Sequence, residues 1–408
     1  MPTLSNQRVG THIWLLFLLG YSSLPLIMLA QNGAPDIRHT INKEREQRIS
    51  VKEQIVFNGW KQYSLAVAAT LAEAPNGDIL CCWMSGSGGE PEGDNCVLLA
   101  RSKDGGNRWS EPIEWIPAGE MASAIGALYT TGDKKKIVFI GYYMPAEKHY
   151  TEEYFFRMES HDSGHTWTEP ERQVLRPNND AVTTHSPLEL TNGEYLFPAQ
   201  FFEKRPKPLL GPVHRLVHAN SEEEALEIPA GKGEDPYKFG THLHGCSVFI
   251  SKYENGREMR EFGHIDNRPL GLLEPTAVEL KDGRVVMLMR AEWGGFLWRA
   301  ESSDSGRTWT DAWETNIPNP TVKPYLLRLD DGRIALIHNA TGRKGEFGDR
   351  DPLSIWISAD EMETWSIKED VIRGGSLAYP NAIMLNGKLV FAYDRNRREA
   401  RFVKVEFE

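Results

Sequence analysis

The chain of 408 residues reads as all-β, a six-bladed β-propeller of four-stranded antiparallel blades. Three observations carry that expectation. The pattern Ser-x-Asp-x-Gly-x-Thr-Trp recurs at residues 102–109, 160–167 and 302–309, with a worn fourth copy at 358–365. Asx-Gly pairs punctuate apolar runs at Asn76-Gly77, Asn192-Gly193, Asp282-Gly283, Asp331-Gly332 and Asn386-Gly387. Helical periodicity is nearly absent, with residues 222–226 the one short helix-like piece. A turn motif repeated along a chain marks a repeat architecture, and an Asx-Gly pair between β-type runs is the strongest short hairpin signal.

The elements follow in order. Residues 1–30 place Arg8 ahead of an apolar stretch, the layout of a signal peptide cleaved near Ala30-Gln31. The stretch is also long enough for a retained membrane anchor. A cleaved leader implies a secreted or periplasmic protein, with no membrane partner unless the segment is retained. Residues 31–50 form a polar lead-in, and the propeller occupies 51–408. Its six units fall at about 64–118, 122–178, 183–266, 272–317, 320–373 and 376–406. In the third and longest, the turn motif has decayed to residues 251–256, and residues 204–236 read as an extended loop. The run Gln54-Ile55-Val56-Phe57 is expected to pair with the last blade and close the ring, which removes exposed sheet edges.

Each motif copy follows a short β-type run, at 96–99, 154–156, 296–298 and 353–356. Its Asp accepts hydrogen bonds from the turn's own backbone, its Gly takes a positive φ without strain, and its Trp can plug a blade against a neighbour. The motif therefore reads as a hairpin between the outer strands of a blade and not as a catalytic site.

A net charge of −11 and the lack of any Lys/Arg block argue against a nucleic-acid partner. Twelve Trp and thirteen Tyr suit carbohydrate stacking, although blade packing takes the larger share. Cys81, Cys82, Cys96 and Cys246 match no zinc spacing and read as buried small apolar residues, with one disulfide left open. No metal and no cofactor are expected.

The repeated turn is the Asp box, or bacterial neuraminidase repeat, and residues 60–408 resemble the sialidases (neuraminidases). Glu274, in Leu273-Glu274-Pro275, and Arg290 match that family's catalytic glutamate and one arginine of its carboxylate-binding triad. Arg350, ahead of the fourth box, matches another triad arginine, and Tyr379 matches the nucleophile. These residue types suit the chemistry. Sialic acid carries a carboxylate on its anomeric carbon, which repels a carboxylate nucleophile, so a tyrosine deprotonated by a neighbouring glutamate serves instead. Arginines clamp the substrate's carboxylate by paired hydrogen bonds. Singly, each residue has a structural reading; jointly, four matches on three consecutive blades favour a site.

Sialidases open blade one with Arg-Ile-Pro, whereas this chain has Ala66-Val67-Ala68-Ala69-Thr70-Leu71, similar to a neuraminidase-like branch that lacks the first arginine. The family's acid/base aspartate maps to a Gly-rich loop that offers Asp94 first and Glu90 second. Lys323 and Arg395 are candidates to replace the lost positive charge. His185, His242 and His244 fall near the mouth, in a structural or hydrogen-bonding role. The resemblance implies an exported exo-glycosidase that removes terminal sialic acid or a related acidic sugar from glycans with retention. An exo-hydrolase for a different sugar and a non-catalytic glycan-binding propeller are the alternatives.

Overall fold

The computed structural model describes residues 48–90, 92–119, 122–144, 153–173, 182–183, 185–204, 242–266, 271–291, 295–342 and 350–408. The leader at 1–30, nearly all of the lead-in, the loop expected at 204–236 beyond its first residue, and the piece at 222–226 lie outside the described residues. Within them there are strands and turns but no helix.

The chain lays down one blade after another. β1 (Ile49–Asn58) precedes the first complete blade, β2 (Leu65–Glu73), β3 (Ile79–Gly86), β4 (Cys96–Ser102) and β5 (Ile113–Ile116). Blade two is β6 (Ala122–Thr130), β7 (Ile137–Met144), β8 (Tyr154–Ser160) and β9 (Glu171–Arg172). Blade three begins with two short pieces, β10 (Val182–Thr183) and β11 (Leu188–Glu189). Both pair with β12 (Tyr195–Lys204), and β13 (His242–Ser251) and β14 (Arg260–Asp266) follow. Blade four is β15 (Leu272–Glu279), β16 (Val285–Ala291), β17 (Phe296–Ser302) and β18 (Trp313–Pro318). Blade five is β19 (Tyr325–Arg328), β20 (Ile334–His338), β21 (Leu353–Ser358) and β22 (Ile367–Ile372). Blade six is β23 (Leu377–Leu385), β24 (Lys388–Arg395) and β25 (Glu399–Phe407), with β1 as its outermost strand. The pairing of β1 with β25 is antiparallel from Ile49↔Phe407 to Asn58↔Glu399, so the expected closing strand is longer than the Gln54–Phe57 run.

The punctuation falls where turn chemistry puts it. Gly77, Gly193, Gly283, Gly332 and Gly387 all have positive φ, each between the first and second strands of a blade. The four Asp boxes join third to fourth strands. In the second box Ser160 Oγ accepts from Gly164 N at 2.8 Å, and Asp162 Oδ1 accepts from Thr166 N at 2.8 Å. The Thr166 hydroxyl donates to Asp162 Oδ2 at 2.7 Å. These Thr166 bonds hold the Asp162 carboxyl below the usual carboxylate range. In the worn copy Met362 takes the glycine's place at φ 68° and still donates its N–H to Ser358 Oγ at 2.9 Å.

The box tryptophans reach the preceding blade. Trp109 meets Phe402 of blade six with ring centroids 5.4 Å apart, and Trp167 meets Trp115 of blade one at 4.5 Å. The apolar core accordingly lies in the seams between blades. One buried cluster joins blades six, one and two, and the others join blades two to three, three to four, four to five and five to six. All four cysteines are buried and free, as small apolar residues of this core.

Candidate active site

The innermost strands do not run straight. Pairing of β2 with β3 slips between Val67 and Thr70, of β15 with β16 between Leu273 and Thr276, and of β23 with β24 between Ala378 and Asn381. Each slip is a β-bulge, and each holds a non-glycine residue in the left-handed region: Ala68 at φ 56°, Glu274 at 46° and Tyr379 at 54°. A bulge re-aims its side chain, and the backbone strain it stores is concentrated at functional sites. Pro275 and Pro380 follow two of the bulged residues, where a missing N–H costs no ladder bond. Two of the bulge amides are held from the neighbouring blade. Glu274 N donates to Gln200 Oε1 at 2.9 Å, and Ala68 N donates to Asp394 Oδ2 at 3.3 Å.

All three bulged residues face one cavity of about 390 Å³. Its wall carries Arg290, Lys323, Arg350 and Arg397 against the carboxylates of Glu90 and Glu274, so cations are in excess. Arg290 lies one residue before the end of the second strand of blade four. Its Nη1 donates to Glu274 Oε2 at 2.8 Å and its Nε to Thr321 Oγ1 at 3.1 Å. Arg350 Nη2 donates to the Thr321 carbonyl oxygen at 3.3 Å, and its guanidinium carbon is 6.0 Å from the centroid of the Tyr379 ring. Thr321, itself at φ 56°, therefore orients both arginines.

Burial sets the electrostatics. Glu274, Arg290 and Arg350 are each 7% exposed. Burial works against the Arg290 charge, but Glu274 and Tyr379 outweigh it and its pKa rises. Burial lowers the pKa of Arg350, with Tyr379 the leading opposing influence. Burial and the Glu274 charge raise the pKa of the Tyr379 phenol, so it stays protonated until a base withdraws the proton. Lys323 donates to the Pro380 carbonyl oxygen at 3.2 Å, and burial pushes its pKa down to about 8. Asp394, behind Ala68, is pushed up to about 7 by burial, against the pull of Arg350 and the Ala68 amide.

The sequence candidates separate on this geometry. Glu274, Arg290, Lys323, Arg350, Tyr379 and Glu90 come together at the cavity. Asp94, favoured over Glu90 from sequence, is exposed and accepts from Ser87 N at 2.8 Å, outside the cavity wall. His185 is buried against the Tyr325 ring, centroids 4.7 Å apart, and lines a second cavity between blades three, four and five. Arg395 lies outside the cavity wall: its Nη2 donates to the Arg373 carbonyl oxygen at 3.1 Å, and Nη1 lies 3.7 Å from Glu53 Oε1. Two positions further on, within the hairpin turn, Arg397 enters the wall instead. His244 lines the cavity, and the His242 side chain lies outside the described residues.

Sequence reading missed Arg397, Thr321, Asp394 and Gln200. Arg397 had a signal, the run Arg395-Asn396-Arg397-Arg398, which also reads as a solvated strand face. Thr321, Asp394 and Gln200 act through register and through contacts between blades, which no local pattern reports.

A family model described as a BNR repeat-like domain matches residues 77–391. A sialidase of Micromonospora viridifaciens is 23% identical over 343 residues, covering 80% of this chain and 49% of that protein. The chain thus spans about half the length of that relative. Among solved structures, a protein of unknown function from Dyadobacter fermentans superposes with a TM-score of 0.65 at 17% identity, covering 88% of this chain and 100% of the other. The NanB sialidase of Streptococcus pneumoniae superposes with a TM-score of 0.61 at 13% identity, covering 86% of this chain and 70% of the other. These likenesses establish a shared fold.

Proposed function

The chain belongs to the BNR repeat-like domain family, and from that premise we propose that it is a retaining exo-glycosidase acting on a terminal sugar acid of glycans. One observation carries the reading: the bulged Tyr379 and Glu274 face the same cavity as the buried Arg290 and Arg350. A phenol, a carboxylate and two guanidinium groups in one recess suit displacement at the anomeric carbon of a sugar that carries a carboxylate.

In the first step the Tyr379 oxygen bonds to the anomeric carbon as the bond to the leaving oxygen breaks. Glu274 takes the phenol proton, and Glu90 gives a proton to the leaving oxygen. In the second step Glu90 takes a proton from water, the water oxygen displaces Tyr379, and Glu274 returns its proton to the phenolate. Arg290 holds the Glu274 carboxylate by Oε2, and the Glu274 charge acts on the Tyr379 phenol. The apolar stretch at 13–30 supports export, where such a pocket meets extracellular glycans.

The stretch Ala66–Leu71, without the arginine that the sialidase pattern has near Val67, favours a second reading within the same chemistry, in which the sugar acid need not be sialic acid. Hydrolysis of 4-methylumbelliferyl sialoside, glucuronide and galacturonide by the wild type and by Tyr379→Phe tests both. The account expects release from at least one sugar acid, lost by about three orders of magnitude in the variant. Equal turnover by the variant would remove Tyr379 from the chemistry, and turnover of uncharged glycosides alone would remove the sugar acid.

A further inference from the structure

The missing arginine of blade one leaves a question of charge, and the answer lies on blade six. The turn joining β24 to β25 closes with Arg398 N donating to the Arg395 carbonyl oxygen at 3.1 Å, and its two central residues are Asn396 at φ 58° and Arg397 at φ 52°. Two consecutive positive φ values are the signature of a type I′ hairpin turn, whose second position is ordinarily glycine. An arginine there keeps backbone strain that a glycine would relieve, and retained strain of this kind points to use of the side chain. The turn is anchored to blade one, since Ala66 N donates to the Arg397 carbonyl oxygen at 2.9 Å. Arg397 thereby shares the cavity wall with Ala68, the bulge position whose counterparts are Glu274 and Tyr379.

Its present partner is Glu90, with Arg397 Nη1 to Glu90 Oε1 at 2.8 Å. The two side chains are 40% and 15% exposed, against 8% and 10% for the pair of Arg290 with Glu274. A pair this open contributes little to stability and exchanges partners at low cost, whereas the buried pair does not. Of these two ion pairs on the cavity wall, the outer one is therefore built to be displaced.

We propose that Arg397 is the anion ligand that stands in for the absent blade-one arginine, and that the carboxylate of an incoming sugar acid displaces Glu90 from it. The inference rests on the sugar-acid reading of the pocket and adds a residue, a position and an exchange to it. One carboxylate replaces another on the same guanidinium, and the displaced Glu90, freed from that cation, takes up a proton from solvent and turns toward the leaving oxygen. Anion recognition and delivery of the acid/base thus become one event.

Arg397→Gly tests this without risk of misfolding, because glycine suits the turn. Kinetics would use the 4-methylumbelliferyl glycoside of the accepted sugar acid and its carboxylate methyl ester, with Arg395→Ala as a control outside the cavity. The expected result is a rise in KM of about 10- to 100-fold on the acid, little change on the ester, an unchanged control and an undiminished urea midpoint. Glu90→Gln should bind the free sugar acid several-fold tighter in calorimetry, because Arg397 no longer has a competing partner. Equal losses on acid and ester, no loss on either, or weaker acid binding by Glu90→Gln would overturn the proposal while leaving the glycosidase reading in place. If the wild type hydrolyses neither compound, calorimetry with the free sugar acid decides. Binding that Arg397→Gly abolishes upholds the proposal, binding that it preserves overturns it, and no binding by the wild type overturns both readings together.

Discussion

Gly106 and Gly77 form an internal experiment on how the Asp boxes hold the propeller together. Both belong to blade one, and both are left-handed, at φ +84° and +85°. A Cβ on Gly77 would meet nothing within 4 Å, whereas one on Gly106 would lie 2.6 Å from Phe402 Cζ. Phe402 is a fully buried ring of blade six, held by Trp109 of the same box. Alanine at Gly77 should cost only the backbone penalty of a left-handed residue, about 1–2 kcal/mol. Alanine at Gly106 adds overpacking against a ring with no room to turn, a further 1–3 kcal/mol or so. The total is about 2–5 kcal/mol, and the difference between the variants measures the contact between blades. Equilibrium urea unfolding at an unchanged m-value reads both numbers. Equal losses would mean that the box glycine serves only its own turn, and the seam would have to be held by other contacts.

Three further predictions concern the cavity. Arg290→Met leaves the Glu274 carboxylate buried without its guanidinium, and urea unfolding should show a loss of about 3–5 kcal/mol. Asp394 has a folded pKa raised by burial to about 7, so its contribution to stability is full below about pH 4 and is lost as pH rises toward 7. Asp394→Asn should therefore match the wild type near pH 4 and exceed it by a few kcal/mol, roughly, near pH 8; a constant difference across that window would contradict this. Lys323, pushed down to about 8, loses its charge in mild alkali, so KM for a sugar acid should climb above pH 8 in the wild type. Lys323→Met should start with a higher KM and climb less.

The fold was legible because its signals are local. Ser-x-Asp-x-Gly-x-Thr-Trp and Asx-Gly each specify a backbone conformation within a few residues, and every blade carries at least one of them. Glu274 and Tyr379 were legible through the sialidase resemblance, each standing just before a proline and ahead of the next Asx-Gly turn. The rest depends on what the ring brings together. Arg395 and Arg397 lie two residues apart, and only the turn between β24 and β25 decides which of them reaches the cavity. Asp94 looked better placed than Glu90 because it borders β4, yet Ser87 N holds its carboxylate at the loop's outer edge. Asp394 supports Ala68 across more than three hundred residues of chain, a contact created by ring closure alone.

The central claim is that Tyr379 attacks the anomeric carbon. Incubating the enzyme with a 2,3-difluorinated sugar acid, which slows breakdown of a glycosyl-enzyme intermediate, and then sequencing peptides by mass spectrometry tests it directly. The account predicts one added sugar on the peptide containing Tyr379, absent from Tyr379→Phe. Labelling of a carboxylate instead, or turnover of the natural glycan with inversion at the anomeric carbon, would contradict it.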